Sequence, residues 1–505
     1  MLGEVFSANI VGIEAQLVHV EVDVQSHGLP GWSMVGLLET AVKEAKDRVA
    51  SAIRNAGFSI LNRRTVINLA PGHIKKSGPH FDLPIAVGML NAWEVCQPRE
   101  HKRYLFAGEL SLKGKLLPVA GTLVMALAAK QANLDGIIIP AQNFAETQMV
   151  DGIEAHGFNS LAEVIHFLNT GEKPEIIIQK SQQDKPRKLD FADVRGQETA
   201  KRAMEIAAAG GHNVLMMGPP GTGKTMLAER LPSILPPLER NEALETLKIK
   251  SVHGLLRGGS ALPNERPFRA PHHTASYAGI IGGGHGGGHV GEIALAHHGI
   301  LFLDELAEFR RDVLESLRQP LESGKVHVVR SGSSISYDAR FQLIGAMNPC
   351  RCGHYGHPNI PCSCTAYHIQ QYRAKVSGPL MDRIDIHVEV GAQPHHELLD
   401  ETKAESSEII RARVLRARDQ QATRYNAPRC NATLGSREIQ KYCELGKEAR
   451  QFIKDAAKKF SFSGRALFRT IKVARTIADL SGSSATEVEH LAEALHFRPQ
   501  HRIIG

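Results

Sequence analysis

The sequence predicts a mixed α/β protein of about three domains, in which a parallel-sheet core is followed by a helical C-terminal region. Three observations carry this prediction. The chain has 505 residues, which is enough for several domains of ordinary size. The apolar strand NVLMM (213–217) passes directly into the glycine-rich GPPGTGKT (218–225) and then into a helical sequence. From about Asp400 onward apolar residues recur at helical spacing, and no strong strand candidate occurs.

Composition and charge are those of a globular protein. Hydrophobic residues make up 42% and charged residues 22%, which excludes fibrous and wholly disordered chains. No apolar run approaches the roughly 18 residues of a spanning helix, and MLGEVFSANIVG lacks the features of a secretory signal. We therefore expect a cytoplasmic protein with no membrane partner. Residues 401–505 carry 20 Lys and Arg against 12 Asp and Glu, and this net charge of +8 suits either phosphate-backbone binding or a solvated helical surface.

Residues 1–170 are predicted to form a first α/β domain. Four valines from Val18 to Val24 alternate with polar residues, as in a half-buried strand. Val42 to Ile53 show helical spacing, and Gly57 follows as a stop. Further candidates are the strands TVINLA (65–70) and GIIIP (136–140), the helix GTLVMALAAKQA (121–132) and a short helix from Leu161 to Leu168.

Three segments follow the first domain. Residues 171–190 are polar and contain two prolines, which is typical of a linker. Residues 191–395 alternate strands and helices and form the predicted core, with a cysteine-rich insertion at 348–364. Residues 396–505 are predicted to form a basic helical lid.

The segment GPPGTGKT predicts a site for a nucleoside triphosphate. Its spacing, G-x-x-x-x-G-K-T between a strand and a helix, is that of a phosphate-binding loop. Backbone N–H groups of such a loop wrap the phosphates, and the helix N-terminus adds positive potential. We expect Lys224 to reach the β- and γ-phosphates and the Thr225 hydroxyl to bind Mg²⁺. The candidate ATP-binding residues are Gly218, Pro219, Pro220, Gly221, Thr222, Gly223, Lys224 and Thr225.

A second motif supplies the carboxylates that hydrolysis needs. GILFLDEL (299–306) is an apolar strand that ends in Asp304 and Glu305, about 80 residues after Lys224. Asp304 is expected at the Mg²⁺ ion, and Glu305 is expected to polarise the attacking water. The two motifs together predict hydrolysis of ATP.

Three further residues resemble parts of the AAA+ ATPases. Asn348 ends the apolar strand FQLIGAMNP (341–349) and resembles the polar sensor of that superfamily. Arg383, in SGPLMDRID (377–385), stands where the superfamily usually has an arginine finger that acts across a subunit boundary. Arg465, in SGRALFRT (463–470), resembles the second sensor. One such arginine alone indicates a surface salt bridge, but the three residues in this order favour an AAA+ protein.

Longer segments narrow the resemblance. The stretches 193–238, RPFRAPHHTAS (266–276), GEIALAHHGILFLDELAEF (291–309) and LRQPLESGKVHVVRS (317–331) resemble the magnesium-chelatase-type AAA+ module. With its first domain included, the whole chain resembles the ComM/YifB family. The resemblance implies a homo-hexameric, ATP- and Mg²⁺-dependent DNA motor that promotes branch migration of recombination intermediates in natural transformation, with a recombinase among its partners. It also implies that the ATPase residues are Lys224, Thr225, Asp304, Glu305, Asn348, Arg383 and Arg465.

Two segments between these motifs are candidates for DNA contacts. KVHVVRSGSSISYDARFQL (325–343) reads as two strands around a Ser/Gly turn, at the place where related motors carry an inserted hairpin. Its Arg330 and Ser331 can meet DNA phosphates, or the hairpin can make subunit contacts instead. In the glycine-rich stretch 267–292, the candidates are Arg269, His272 and His273.

Four of the seven cysteines crowd into NPCRCGHYGHPNIPCSC (348–364). Four thiolates on one loop can form a tetrahedral, structural zinc site, and four reduced thiols are the alternative. The predicted zinc ligands are Cys350, Cys352, Cys362 and Cys364.

The first domain resembles the protease domain of Lon. In APGHIKKSGPHFDLPIAVGML (70–90), His80 follows Gly78 and Pro79, where Lon-type peptidases have their serine nucleophile. The later helix, GTLVMALAA (121–129), offers only apolar residues in place of the partner lysine. Peptidase activity is therefore not expected. We expect instead that this domain is a scaffold that guides DNA or stabilises a ring.

Two other functions remain open. A chelatase-type motor would insert Mg²⁺ into a porphyrin, but the D-x-S-x-S motif of its partner does not occur here. A protein-remodelling ATPase would hydrolyse ATP without responding to DNA.

Overall fold

The chain forms two compact units. A computed structural model describes residues 2–27, 29–96, 103–173, 189–256, 262–283, 289–330, 333–357, 359–393 and 404–498. The first unit comprises residues 1–184 and 240–263, and the second comprises residues 185–239 and 264–505. Of the predicted linker, residues 174–188 lie outside the described residues.

The first unit is built on a seven-stranded mixed sheet. Its strands are Leu2–Val11, Glu14–Gln25, Gly31–Val35, Arg64–Ala70, Tyr104–Phe106, Gly136–Pro140 and Glu154–Phe158, with a small hairpin of Glu109–Leu110 and Leu116–Leu117 beside it. Its helices are Thr40–Lys43, Ala45–Asn55, Asp82–Ala92, Thr122–Gln131, Phe144–Thr147, Leu161–Thr170 and Arg240–Val252. In the sheet the order by first residue is 31, 64, 14, 2, 104, 136, 154.

The alternation that predicts the second strand also explains its burial. Val18, Val20 and Val22 are fully buried, while the polar residues between them face outward or are half-buried. This strand pairs antiparallel with Leu2–Val11, and Val5 lies opposite Val20. The predicted strands at 65–70 and 136–140 are confirmed, and so is the helix predicted at 121–132.

The helix Arg240–Val252 belongs to the first unit, although it follows the glycine-rich segment in the chain. Its Leu247 lies in one apolar cluster with Leu123 and Ile137. The backbone N–H of Gly121 donates to Ser251 O at 2.8 Å. A stretch inside the predicted core range 191–395 therefore packs with the first domain.

The second unit is built on a five-stranded parallel sheet. Its sheet strands, in spatial order, are Phe268–Arg269, Ile300–Leu303, Gln342–Met347, Val214–Met217 and Ile386–Glu389. Two hairpins accompany it: Gly282–Gly283 with His289–Val290, and Lys325–Arg330 with Ser333–Asp338. Its helices are Glu198–Gly210, Lys224–Ile234, Tyr277–Ile281, Glu292–Leu295, Arg311–Ser316, Arg318–Ser323, Ala366–Ala374, Gly378–Met381, Ser407–Tyr425, Ser436–Tyr442, Lys447–Lys459, Gly464–Leu480 and Val488–His496.

Parallel pairing brings the ends of the sheet strands to one level. Met217 lies opposite Met347 on one side and opposite Glu389 on the other. Ligands of open α/β sheets bind beyond the carboxyl ends of the strands, so this edge is where a site is expected. The helices from Ser407 to His496 confirm the predicted helical C-terminal region.

Candidate active site

The glycine-rich segment joins the strand Val214–Met217 to the helix Lys224–Ile234, as the sequence predicts. Three glycines are required by its shape. A Cβ on Gly218 would lie 2.0 Å from Val390 O, and Gly221 and Gly223 have left-handed backbones with φ of +77° and +87°. Only glycine relieves both constraints, because it has no Cβ. The result is a tight loop between the carboxyl end of a sheet strand and the start of a helix, which is the setting in which backbone N–H groups bind phosphates.

Lys224 holds the loop from inside. Its Nζ donates to Gly218 O at 2.8 Å and to Pro219 O at 2.7 Å. A longer contact of 3.3 Å joins Nζ to Asn348 Oδ1. Burial lowers the pKa of Lys224, against the opposing effect of the nearby Asp304 carboxylate. An incoming phosphate would exchange two neutral carbonyl partners for a charged one, which is the stronger interaction.

The predicted magnesium ligands lie together. Thr225 Oγ1 donates to Asp304 Oδ2 at 2.7 Å. The backbone N–H of Glu305 donates to the other oxygen, Asp304 Oδ1, at 2.8 Å. Hydroxyl and carboxylate oxygens are the ligands that Mg²⁺ prefers in nucleotide sites, so these residues fit the ion.

Glu305 is held by a histidine. Its backbone is left-handed, with φ of 52°, and its Oε2 lies 2.9 Å from His273 Nδ1. The His273 ring also contacts the His272 ring in a tilted arrangement, with ring centroids 4.1 Å apart. His272 Nδ1 is 2.8 Å from Thr274 Oγ1. Two residues predicted as DNA contacts therefore connect the glycine-rich stretch to a carboxylate of the nucleotide motif.

The two predicted arginines lie together at a different place. Arg383 Nη2 is 2.8 Å from Glu322 Oε1, and Arg465 Nη2 is 3.9 Å from the same oxygen. Within the described residues, neither guanidinium contacts Lys224, Asp304 or Glu305. The structure thus brings Lys224, Thr225, Asp304, Glu305 and Asn348 together and sets Arg383 and Arg465 apart from them.

The remaining DNA candidates are placed as follows. Arg269 makes a two-pronged pair with Glu292, at 2.5 and 2.8 Å, and this hydrogen bonding raises the pKa of Arg269. The hairpin Lys325–Arg330/Ser333–Asp338 is present as predicted. Ser331 and the side chain of Arg330 lie outside the described residues.

The four clustered cysteines converge as predicted. All four sulfur atoms lie within 4.8 Å of one another. The Sγ–Sγ distances are 3.4 Å for Cys350–Cys352, 3.5 Å for Cys352–Cys362 and 3.7 Å for Cys350–Cys362. A tetrahedron with Zn–S bonds of about 2.3 Å has edges of roughly 3.8 Å, so the donor set fits zinc.

The cysteine loop packs against the phosphate loop. A Cβ on Gly353 would lie 2.7 Å from Pro220 Cδ. Arg373, on the helix that follows the loop, donates from Nε to Pro349 O at 3.1 Å. The shape of this loop therefore bears directly on the phosphate loop.

In the first unit, two polar side chains of the segment that resembles Lon are buried and hydrogen-bonded. His80 is buried, and its Nε2 lies 2.9 Å from Ala8 O; burial lowers the pKa of His80 to about 4. Lys76 is fully buried, and its Nζ hydrogen-bonds Pro71 O. Both side chains are bonded to backbone carbonyls in the interior.

Comparison with known proteins gives the same assignment along the chain. Residues 190–398 match the family described as magnesium chelatase, subunit ChlI, and residues 20–143 match subunit ChlI of Mg-chelatase. Residues 404–498 match the C-terminal part of the same subunit. The competence protein ComM of Haemophilus influenzae is 43% identical over 100% of this chain and 98% of its own length.

The chain belongs to the ComM/YifB family. YifB of Escherichia coli is 42% identical over 98% of this chain and 96% of its own length. Lon protease of Mycolicibacterium smegmatis is 23% identical over 31% of this chain and 21% of its own length. The predicted fold class is confirmed: a Lon-like first domain, an AAA+ parallel-sheet core and a helical lid.

Family membership implies a magnesium-chelatase-like AAA+ ATPase that uses ATP and Mg²⁺, and AAA+ proteins act as oligomers. No helix in the described part of the chain is both long and apolar enough to cross a bilayer.

Sequence reasoning missed two residues and one contact of this region. Gln197 Nε2 donates to Thr222 O at 3.3 Å and to Gly391 O at 2.7 Å, which ties the phosphate loop to its neighbours. Its left-handed backbone, with φ of 54°, gives no sequence signal. Glu322 has no motif of its own, and the pairing of His273 with Glu305 joins residues that are distant in sequence.

Proposed function

We propose that the protein is an ATP-driven DNA motor that assembles as a homo-hexamer in the cytoplasm and drives branch migration of recombination intermediates during natural transformation. The observation that carries the proposal is the pair of half-sites in the second unit. Lys224, Thr225, Asp304, Glu305 and Asn348 gather at one edge of the sheet, whereas Arg383 and Arg465 gather elsewhere. The name of the Haemophilus influenzae relative supports the link to competence.

The first half-site binds and hydrolyses ATP. The phosphate-loop residues 218–225 hold the phosphates, and Lys224 exchanges its carbonyl partners for the β- and γ-phosphates. Thr225 and Asp304 would hold Mg²⁺, which would neutralise the charge that develops on the phosphate oxygens. Glu305 orients the attacking water and accepts its proton, and Asn348, whose Oδ1 accepts from Lys224 Nζ, is assigned the role of the polar sensor.

The second half-site completes the ATP site of a neighbouring subunit. A guanidinium stabilises the charge of the phosphoryl-transfer transition state only when it reaches the phosphate. Arg383 and Arg465 make no contact with the Lys224 site within the described residues, so they are assigned to the site of the next subunit. Hydrolysis then depends on ring assembly.

DNA is assigned to the second unit. The hairpin Lys325–Arg330/Ser333–Asp338, with Arg330 and Ser331 near its turn, is the first candidate contact. Arg269, His272 and His273 form the second, and His273 reaches Glu305 directly. DNA bound to this segment would therefore change the position of Glu305, the residue that orients water. The lid, 396–505, adds a positive surface.

Zinc is assigned a structural role. Cys350, Cys352, Cys362 and Cys364 would hold the ion, which would fix the shape of the loop that rests on Pro220. Four protein ligands leave no position for a substrate.

Release of a labelled strand from a three-strand or four-way DNA junction tests the proposal. Purified protein, ATP and Mg²⁺ should resolve the junction, and Lys224→Ala should not. A linear duplex of the same sequence is the substrate control, and a recombinase-coated joint is the natural extension. ATPase activity that is indifferent to every DNA, with no resolution, would favour a protein-remodelling ATPase.

A further inference from the structure

One carboxylate lies between the two arginines of the second half-site. Glu322 lies in the short helix Arg318–Ser323, one residue before its end. Arg383 follows the helix Gly378–Met381, and Arg465 lies in the first turn of the lid helix Gly464–Leu480. Three separate elements therefore meet at Glu322 Oε1, which lies 2.8 Å from Arg383 Nη2 and 3.9 Å from Arg465 Nη2.

The two arginines are held very differently. Arg383 is 11% exposed, and two backbone carbonyls fix its plane: Nε donates to Arg318 O at 3.1 Å and Nη1 donates to Pro379 O at 2.5 Å. Arg465 is 69% exposed, and Glu322 is the ion-pair partner that it has among the described residues. Glu322 is therefore the contact that ties the lid arginine to the anchored one.

The charge balance favours a further anion. Arg383 and Arg465 carry two positive charges against the single charge of Glu322. Arg318 adds a third guanidinium, which pairs with Glu315 at 2.7 Å. Hydrogen bonding from Arg383, with the charges of Arg383, Arg465 and Arg318, lowers the pKa of Glu322. Glu322 is thus ionised at neutral pH, and the group keeps an excess of positive charge for a phosphate.

We propose that Glu322 is a positioning residue that holds Arg383 and Arg465 side by side, so that both guanidiniums engage one terminal phosphate of the ATP bound to a second copy of this chain. The inference rests on the proposed function, since it names how the second half-site is ordered. Without the carboxylate, the two like charges repel each other and the exposed Arg465 is free to move. Donors that are arranged in advance stabilise a transition state better than donors that must be ordered during the reaction.

The test compares two neighbouring carboxylates. Glu322→Gln removes the charge between the arginines and keeps the size of the side chain. Glu315→Gln is the matched control, because Glu315 also pairs with an arginine of this group but contacts neither Arg383 nor Arg465 in the described residues. Glu322→Asp restores the charge on a shorter side chain.

We expect Glu322→Gln to lower the kcat of ATP hydrolysis about tenfold with KM and hexamer assembly unchanged, because the phosphates bind on the other half-site. Glu315→Gln should keep kcat within about twofold, and Glu322→Asp should recover part of the loss. An unchanged or raised kcat in Glu322→Gln would overturn the positioning role, as would an equal loss in Glu315→Gln. Arg383→Ala, measured alongside, tests the proposed function separately from the role of Glu322. If this variant hydrolyses ATP at the wild-type rate, the assignment of Arg383 to the ATP site of a neighbouring subunit is wrong.

Discussion

The two units use the same kinds of polar residue in opposite ways. In the first unit, His80, Lys76 and Asp82 are buried and are bonded to backbone carbonyls or to Arg48. In the second, the polar groups of the predicted site stand where strands end, and some of them bond one another, as Thr225 bonds Asp304 and Lys224 bonds Asn348.

The difference separates groups that stabilise a fold from groups that we propose to bind and hydrolyse ATP. A polar side chain that is fully buried and bonded to a backbone carbonyl in the interior, as Lys76 is, cannot reach a ligand. A lysine that rests on two neutral carbonyls, such as Lys224, can exchange them for a phosphate. The first unit therefore serves as an α/β scaffold, while the proposed ATP site lies at the carboxyl end of the sheet in the second unit.

Removing a side chain of the proposed ATP site should have the largest effect on ATP hydrolysis. Lys224→Ala is expected to abolish ATP hydrolysis, because no other cation of the described residues contacts the phosphate loop from within. Thermal unfolding should change little, since the variant loses only exchangeable contacts. ATPase rate and Tm measured on one preparation check this, and a variant that hydrolyses ATP normally would refute the assignment.

Arg383→Ala should spare ATP binding and lower kcat by about 10³-fold, which is the contribution of a typical arginine finger. Binding should persist because Arg383 lies apart from Lys224 and Asp304. A fluorescent ATP analogue reports binding, and phosphate release reports hydrolysis. Loss of binding together with hydrolysis would place the arginine in its own subunit's site.

A buried group of the first unit should behave in the reverse way. Asp82 is fully buried and accepts from Arg48 Nε at 2.9 Å and Arg48 Nη2 at 3.0 Å. Asp82→Ala leaves the half-buried guanidinium without its carboxylate and is expected to cost about 2–3 kcal/mol of stability. The ATPase kcat of the folded fraction should stay within about twofold. A large loss of kcat with unchanged Tm would break the contrast between the units.

The cysteine cluster offers a test of whether a bound zinc ion stabilises the loop beside the proposed ATP site. Wild-type protein purified with zinc should contain about one ion per chain, and Cys352→Ser should lose it. The variant should also unfold at lower temperature, because the loop that rests on Pro220 loses its anchor. Cys430→Ser, outside the cluster, should keep its zinc. Metal analysis that finds no zinc in the wild type would leave four reduced thiols as the answer.

The smallest expected effect is a pH dependence in the first unit. Burial raises the pKa of Glu146 from its ordinary value of 4.5 to about 7, against hydrogen bonds from Asn143, Ser251 and Thr122. The folded chain thus keeps a proton that the unfolded chain releases above about pH 4.5, so stability falls as the pH rises toward 7.

Glu146→Gln escapes this loss because it cannot ionise. We expect equal stability of the two proteins near pH 4.5 and a gain for the variant of about 2 kcal/mol near pH 8. Denaturant unfolding at both pH values is the measurement. A variant that is less stable than wild type near pH 8 would show that the ionised carboxylate is favoured in the fold.

Local patterns predicted the parts of the site that a short segment defines. NVLMMGPPGTGKT (213–225) and GILFLDEL (299–306) each combine a strand with a chemical group at its end, so the roles expected of them follow from spacing. The return of Arg240–Val252 to the first unit was not predictable, because it depends on the packing of Leu247 with residues more than a hundred positions away. The same holds for His273 with Glu305 and for Glu322, whose partners come from separate elements.

The central claim is that each ATP site is built from two copies of the chain, and mixing two inactive variants tests it most directly. Lys224→Ala keeps Arg383, and Arg383→Ala keeps Lys224. In hexamers formed from equal amounts, about a quarter of the interfaces combine an intact phosphate loop with an intact arginine. The account predicts that ATPase activity returns on mixing, to about a quarter of the wild-type value. A mixture as inactive as its two components would contradict it.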